Sequence, residues 1–243
     1  MKIITWNCLG ALTNDKKDAI LKLKPDVLVV QECGPQETFP EGFQPTGQEY
    51  IGDEGQLRGL AVFGFNGFQT ERLDDDNKPD IKFFLPLRVF KGDLSLTLLA
   101  AWAWHKDGQY LDVFSAAVDH YGPIIGREKM LFLGDFNTPG TDNDLASPTP
   151  DNANLKKHLE IVTKMSQKGV KSLFHTQNKV EHGKEKPEDA TLYYKSDPSK
   201  PFHCDYCFAS DDMEKRLKVI EIGRPEEWIK FSDHMPLTIV FDL

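Results

Sequence analysis

The stretch Met130-Leu131-Phe132-Leu133-Gly134-Asp135-Phe136-Asn137 decides the reading of this chain. Four apolar residues bounded by glycine predict a short buried strand, and Gly134 frees the backbone to turn where a Cβ would hinder it. Asp135 and Asn137 are one strand period apart, so in an extended backbone both side chains face the same way. A carboxylate able to ligate a hard cation or take a proton from water then stands beside an amide that orients an oxyanion without adding charge. Asp-x-Asn after a strand is also ordinary turn chemistry, so its meaning rests on what the chain places at its other strand ends.

Three further strand margins carry polar groups. Lys2-Ile3-Ile4-Thr5-Trp6-Asn7 is a β-rich run ending in an amide, and Asp26 to Glu32 is an apolar strand ending in a carboxylate. Ser232-Asp233-His234 precedes a final strand, Met235 to Phe241. Taken singly, Asn7 caps a turn, Glu32 opens a solvated loop, and Asp233 closes an Asx-turn beside an exposed His234. Taken together, they are groups suited to metal and phosphate chemistry at the ends of rigid elements, which deliver side chains to a shared site.

With these pieces in order, the chain resembles the endonuclease/exonuclease/phosphatase superfamily. The matching motifs are Thr5-Trp6-Asn7, Gln31-Glu32, Gly134-Asp135-Phe136-Asn137, His203-Cys204-Asp205-Tyr206 and Ser232-Asp233-His234-Met235-Pro236-Leu237, and they span nearly the whole chain. The resemblance implies a four-layer α/β/β/α sandwich of two mixed, mainly antiparallel sheets with outer helices. It implies Glu32 as the principal Mg²⁺ ligand, Asn7 in or near the metal shell and Asp233 as a further carboxylate of that cluster. Asp135 then activates or orients water, Asn137 fixes the scissile phosphate, and His234 pairs with Asp205, which orients the imidazole and favours its charged form. His105 is the nearest match to a family histidine on a central strand, but Lys106 follows where the family has Leu. It is either a phosphate-side residue or a surface histidine at a strand end.

The implied chemistry is phosphodiester hydrolysis, which needs activated water, neutralised equatorial oxygens and help for the leaving alkoxide. Oxygen ligands without thiolate favour Mg²⁺ or Mn²⁺ over zinc. Cys204 and Cys207 form a CxxC, but on a strand over 202–208 they point to opposite faces, so the reading is buried thiols. Four cysteines in 243 residues show no secreted disulfide framework.

Without a linker-like tract, one domain over 1–243 is expected. No apolar run reaches roughly 18 residues, so no ordinary membrane span is expected. The N-terminus has no signal-peptide pattern, and a monomeric cytoplasmic protein with no membrane partner is expected. Helices are predicted at 14–23, about 109–121 (with Leu111, Phe114, Ser115 and Val118 on one face) and about 152–167. Strands are predicted near 60–63, 82–90, 95–104, 192–194, 205–209, 217–222 and 236–241.

Substrate class is the open point. A net charge of −9 and the acidic run 71–76 count against a broad DNA-coating surface. Between Lys156 and Lys186, eight Lys face three Glu, either as a solvated face or as a track for a phosphate backbone. Trp102, Trp104, Tyr193, Tyr194 and Trp228 either stack bases or fill the core. The favoured expectation is a nuclease, with DNA preferred over RNA. The alternatives are a phosphodiesterase or phosphatase for a small phosphoester, and an inert binding protein on the same fold.

Overall fold

Alternation along the central strands builds several cores at once. The computed structural model describes residues 1–35, 37–53, 58–73, 81–138 and 153–243. In chain order the strands are Lys2–Asn7 (β1), Val27–Cys33 (β2), Gly47–Gly52 (β3), Gly59–Gly64 (β4), Gln69–Arg72 (β5), Phe84–Lys91 (β6), Leu94–Trp102 (β7), Met130–Asp135 (β8), Val170–Ser172 (β9), Leu192–Tyr193 (β10), Pro201–Phe202 (β11), Asp205–Ser210 (β12), Leu217–Ile222 (β13) and Leu237–Phe241 (β14). The helices are Asn14–Leu21 (α1), Tyr110–His120 (α2), Ala153–Ser166 (α3), Leu173–Asn178 (α4), Asp211–Glu214 (α5) and Pro225–Trp228 (α6).

One six-stranded sheet has the order β13-β14-β1-β2-β4-β3 and the other β5-β6-β7-β8-β12-β9. Each contains a single parallel pair at its centre, β1 with β2 and β7 with β8, and is otherwise antiparallel. Ile3, Val27 and Val29 meet Leu98, Ala100, Leu131 and Leu133 between the sheets. Their neighbours Ile4, Trp6, Leu28 and Val30 point the other way, under Ile20 and Leu21 of α1 and Trp228 of α6. On the far side Leu99, Ala101 and Phe132 pack against Phe114, Ala117 and Val118 of α2 and Ile161 and Met165 of α3. The layers are therefore helix, sheet, sheet, helix, as the motifs implied. Burying one such Leu or Phe contributes roughly 1.5–3 kcal/mol, so both faces of each sheet must be covered.

The covered face of α2 corrects the sequence reading. Ala117 and Val113 are buried and Ser115 is not, because helix packing selects small residues that let α2 approach the sheet. The acidic run is divided, with Glu71 and Arg72 in β5 and 74–80 outside the described residues. Among the described residues no helix is long and apolar enough to cross a membrane.

Parallel pairing of β1 with β2, and antiparallel pairing of β14 with β1 and of β12 with β8, bring particular strand ends together. The C-terminal ends of β1, β2 and β8 meet the starts of β12 and β14 at one end of the sandwich.

Candidate active site

Asp135 ends β8 directly opposite Asp205 at the start of β12. Both are buried, at 0% and 1% exposure. Two carboxylates facing each other across a ladder repel unless a cation or proton intervenes. His234 is that intervening group. Its Nδ1 lies 2.9 Å from Asp205 Oδ2 and its Nε2 3.9 Å from Asp135 Oδ2. Burial disfavours charge on the imidazole, but Asp205 and Asp135 together outweigh it and hold His234 well above the usual histidine range. Burial pushes Asp135 up to about 7, against the opposing pull of His234.

The histidine is held by its neighbours. Ser232 Oγ donates to Asn7 O at 2.7 Å and accepts from the His234 backbone N–H at 3.0 Å, while Trp6 Nε1–H donates to His234 O at 2.9 Å. Thr191 Oγ1 accepts from the backbone N–H groups of Cys204 and Asp205, fixing the start of β12.

Asp135 sits in a cradle of amide donors. Asn7 Nδ2 donates to Asp135 Oδ2 at 2.9 Å and to Glu32 Oε1 at 3.2 Å, tying the two sheets together. The Asn7 amide oxygen is taken by Leu9 N–H at 3.0 Å. Asn137 does not follow the strand parity expected for it: its φ is 52° and the strand ends at Asp135. An Asx-turn brings the two together instead, with Asn137 N–H donating to Asp135 Oδ1 at 2.8 Å and Nδ2 to Oδ2 at 3.1 Å. Asn tolerates the left-handed region that most residues avoid.

Glu32 lies within β2 rather than at its end, at φ 59° where the register against β4 jumps between Gln31 and Cys33. Such a conformation costs on the order of 1–3 kcal/mol and turns the carboxylate out of the ladder. Glu32, Asn137, Asp233 and His234 line one pocket of about 450 Å³. Asp233 Oδ1 is buried with no hydrogen-bond partner among the described residues. Burial pushes the Cys204 thiol well above its usual range, so the pocket offers oxygen donors and no thiolate. Among the described residues this donor set fits a hard divalent cation.

His105 stands apart from this group. It lies in a turn after β7, its Nδ1 accepting Asp107 N–H at 3.2 Å, and it does not line the pocket. Cys207 faces the core between the sheets while Cys204, which precedes β12 instead of lying on a strand over 202–208, joins Leu192 and Phe202, so the CxxC thiols part without sharing a strand. Trp102, Tyr193 and Trp228 are core, whereas Tyr194 lines the pocket. Lys157, Lys164 and Lys171 pair with Asp112, Asp119 and Asp211. Sequence reading missed Tyr110 at the start of α2, Ser232, and Arg58, whose guanidinium lies 3.9 Å from Glu32. Only Ser232 carried a signal, its place in a matched motif.

Two facing mixed sheets under outer helices, with these side chains gathered at one end, make the fold that of the endonuclease/exonuclease/phosphatase superfamily. An AP endonuclease from Archaeoglobus fulgidus shares it with a TM-score of 0.72 at 18% identity over 100% of both chains. A 3′ phosphatase from Neisseria bound to a product DNA hairpin does so with a TM-score of 0.69 at 18% identity, also over 100% of both chains. The catalytic domain of Xenopus laevis APE2 gives 0.71 at 15% identity over 99% of this chain and 91% of that one. No protein-family model and no curated protein sequence matches the chain.

Proposed function

We propose that the chain is a divalent-cation-dependent hydrolase of phosphodiester bonds in nucleic acid, with DNA favoured over RNA. The observation that carries this reading is the buried Asp205–His234–Asp135 arrangement, whose His234 lines the same pocket as Glu32 and Asp233. It is supported by relatives of the same fold that include an AP endonuclease and a phosphatase captured with DNA.

Each residue then has a role. Glu32 and Asp233 hold Mg²⁺ or Mn²⁺, which when bound supplies positive charge to a phosphate oxygen. Asp135, aimed by the Asn7 and Asn137 amides, orients the attacking water and takes its proton. Asn137 lines the pocket with its Nδ2 donating to Asp135 Oδ2 at 3.1 Å and to Ala103 O at 3.4 Å, and fixing a phosphate oxygen means exchanging the longer of these bonds for it. His234, held charged by Asp205, sets a positive donor against the charge that builds on the equatorial oxygens. Among the described residues no activated Ser or Cys lines the pocket, and the reading takes water as the nucleophile with no covalent intermediate.

One observation favours a second reading, a nuclease-like site working on small phosphoesters. The net charge is −9, and Lys157, Lys164 and Lys171 are each paired with an acid rather than presented as a basic track. The deciding experiment offers plasmid DNA, single-stranded DNA, RNA and bis-p-nitrophenyl phosphate with Mg²⁺, Mn²⁺ or EDTA, with Asp135→Ala as control. Polymer cleavage that needs metal and is lost in the variant supports the nuclease. Cleavage of the small ester alone moves the assignment to the second reading, and no cleavage of any substrate with either ion removes both.

A further inference from the structure

Asn137 reaches the pocket from an uncommon backbone. Its φ of 52° lies in the left-handed region, which costs free energy and persists where the surroundings over-determine it. On its N-terminal side Phe136 N–H donates to Cys204 O at 3.0 Å, and Asn137 N–H itself donates to Asp135 Oδ1 at 2.8 Å. On its C-terminal side stands Thr138, fully buried and held through both its side chain and its carbonyl. Thr138 Oγ1 lies 2.9 Å from His158 Nδ1 of α3, and Thr138 O accepts from the Tyr206 hydroxyl of β12 at 3.1 Å. Granted the reading of Asn137 as the residue that fixes the substrate phosphate, we infer that Thr138, anchored by His158 and Tyr206, is the residue that positions it.

Binding a phosphate makes these anchors matter. It takes Asn137 Nδ2 away from Ala103 O at 3.4 Å, so the side chain then does less to hold its own backbone. The bonds on either side must carry the left-handed conformation instead. His158 is a rigid partner for this: it is buried, and its other nitrogen lies 3.1 Å from His182 Nδ1, which fixes the ring from both sides. Burial keeps the ring neutral, its pKa lowered to about 3. A neutral imidazole and a hydroxyl pair whichever of them donates, so the contact with Thr138 holds in either tautomer.

Tyr206 ties this loop to the other half of the site. Its hydroxyl is shared between Thr138 O and His203 O at 2.9 Å, and it follows Asp205, the partner of His234. One buried phenol thus sets the phosphate-side amide and the imidazole on a common frame. A shift of about 1 Å in such a frame costs about 10²-fold in rate.

The test is a double-mutant cycle on metal-dependent hydrolysis of DNA and bis-p-nitrophenyl phosphate, joined to hydrogen exchange at the Asn137 amide read by NMR. Thr138→Val keeps the shape and removes the hydroxyl, and Thr138→Ser restores it. Tyr206→Phe removes only the phenol oxygen and serves if Thr138→Val does not fold. Thr138→Val and Tyr206→Phe should each lower kcat by about 10- to 100-fold with an unchanged Mg²⁺ half-saturation, while Thr138→Ser stays within about threefold of wild type. In Asn137→Gly, which removes the amide and accepts the left-handed backbone, the same changes should cost less than about twofold more. The Asn137 N–H should exchange at least about tenfold faster in Thr138→Val and Tyr206→Phe than in wild type. Equal losses with and without the Asn137 amide would make Thr138 a support of the fold alone and overturn the inference, as would unchanged exchange. If wild type cleaves neither substrate the hydrolase reading fails by itself, and the exchange rates still decide whether Thr138 positions Asn137.

Discussion

Asp135 and Asp205 stand directly opposite each other in the β8–β12 ladder, both buried, with the His234 ring reaching each. Removing the ring leaves two like charges opposed in a dry place. His234→Ala should therefore lower kcat by about 10²–10⁴-fold, the usual yield of a positioned acid or base. It should also cost stability, on the order of 1–3 kcal/mol, because Asp205 loses its partner. Steady-state kinetics and thermal melts of the same preparation check both, and near-normal turnover in a folded variant would remove His234 from catalysis.

Glu32 faces the pocket from a bulge, with Arg58 the nearby cation at 3.9 Å. Glu32→Gln keeps size and polarity and removes the charge that draws the metal. The Mg²⁺ concentration for half-maximal activity should rise at least about tenfold, a loss of about 1.4 kcal/mol in binding, and EDTA should abolish wild-type activity. A titration curve unchanged by the substitution would show that the ligand lies elsewhere.

Much of this is legible in the sequence, and what is not has physical reasons. Apolar runs mark β1, β2, β8 and β14, and their polar ends mark Asn7, Glu32, Asp135 and His234, because buried central strands must be apolar until they reach the site. The edge strands β3 and β5 leave no such mark: Gly47–Gly52 and Gln69–Arg72 are half exposed and polar, so nothing alternates strongly. Strand parity predicts that Asp135 and Asn137 gather, whereas an Asx-turn through a left-handed Asn137 achieves it. The donor duty of Asn7 and the reach of Tyr110 depend on pairings distant along the chain, which no local pattern encodes.

Gly134 has φ 145°, and a Cβ there would lie 1.9 Å from Ala101 O in β7. The obstructing atom is backbone in a central parallel pair, so it cannot swing aside as a side chain tip does. Gly134→Ala should destabilise the fold by more than about 4 kcal/mol, in the range reserved for core disruption. Denaturant melts read this directly, and a variant within about 1 kcal/mol of wild type would mean that β7 and β8 separate far more easily than their ladder implies.

His158 is fully buried beside Thr138 and His182, and burial lowers its pKa to about 3, with the nearby His175 and His203 acting in the same direction and Glu185 against it. The unfolded chain takes up this proton near pH 6.5 and the folded chain does not until near pH 3. The neutral ring therefore contributes its full stability above pH 6.5, and that contribution is lost progressively as pH falls from 6.5 towards 3. At about 1.4 kcal/mol for each pH unit of that interval, the full loss is on the order of 5 kcal/mol. His158→Gln keeps a hydrogen-bonding group that does not titrate. The stability difference between wild type and variant should shrink or reverse on going from pH 7 to pH 4. A difference that stays constant over that interval would show that His158 is protonated, or reached by water, in the folded protein.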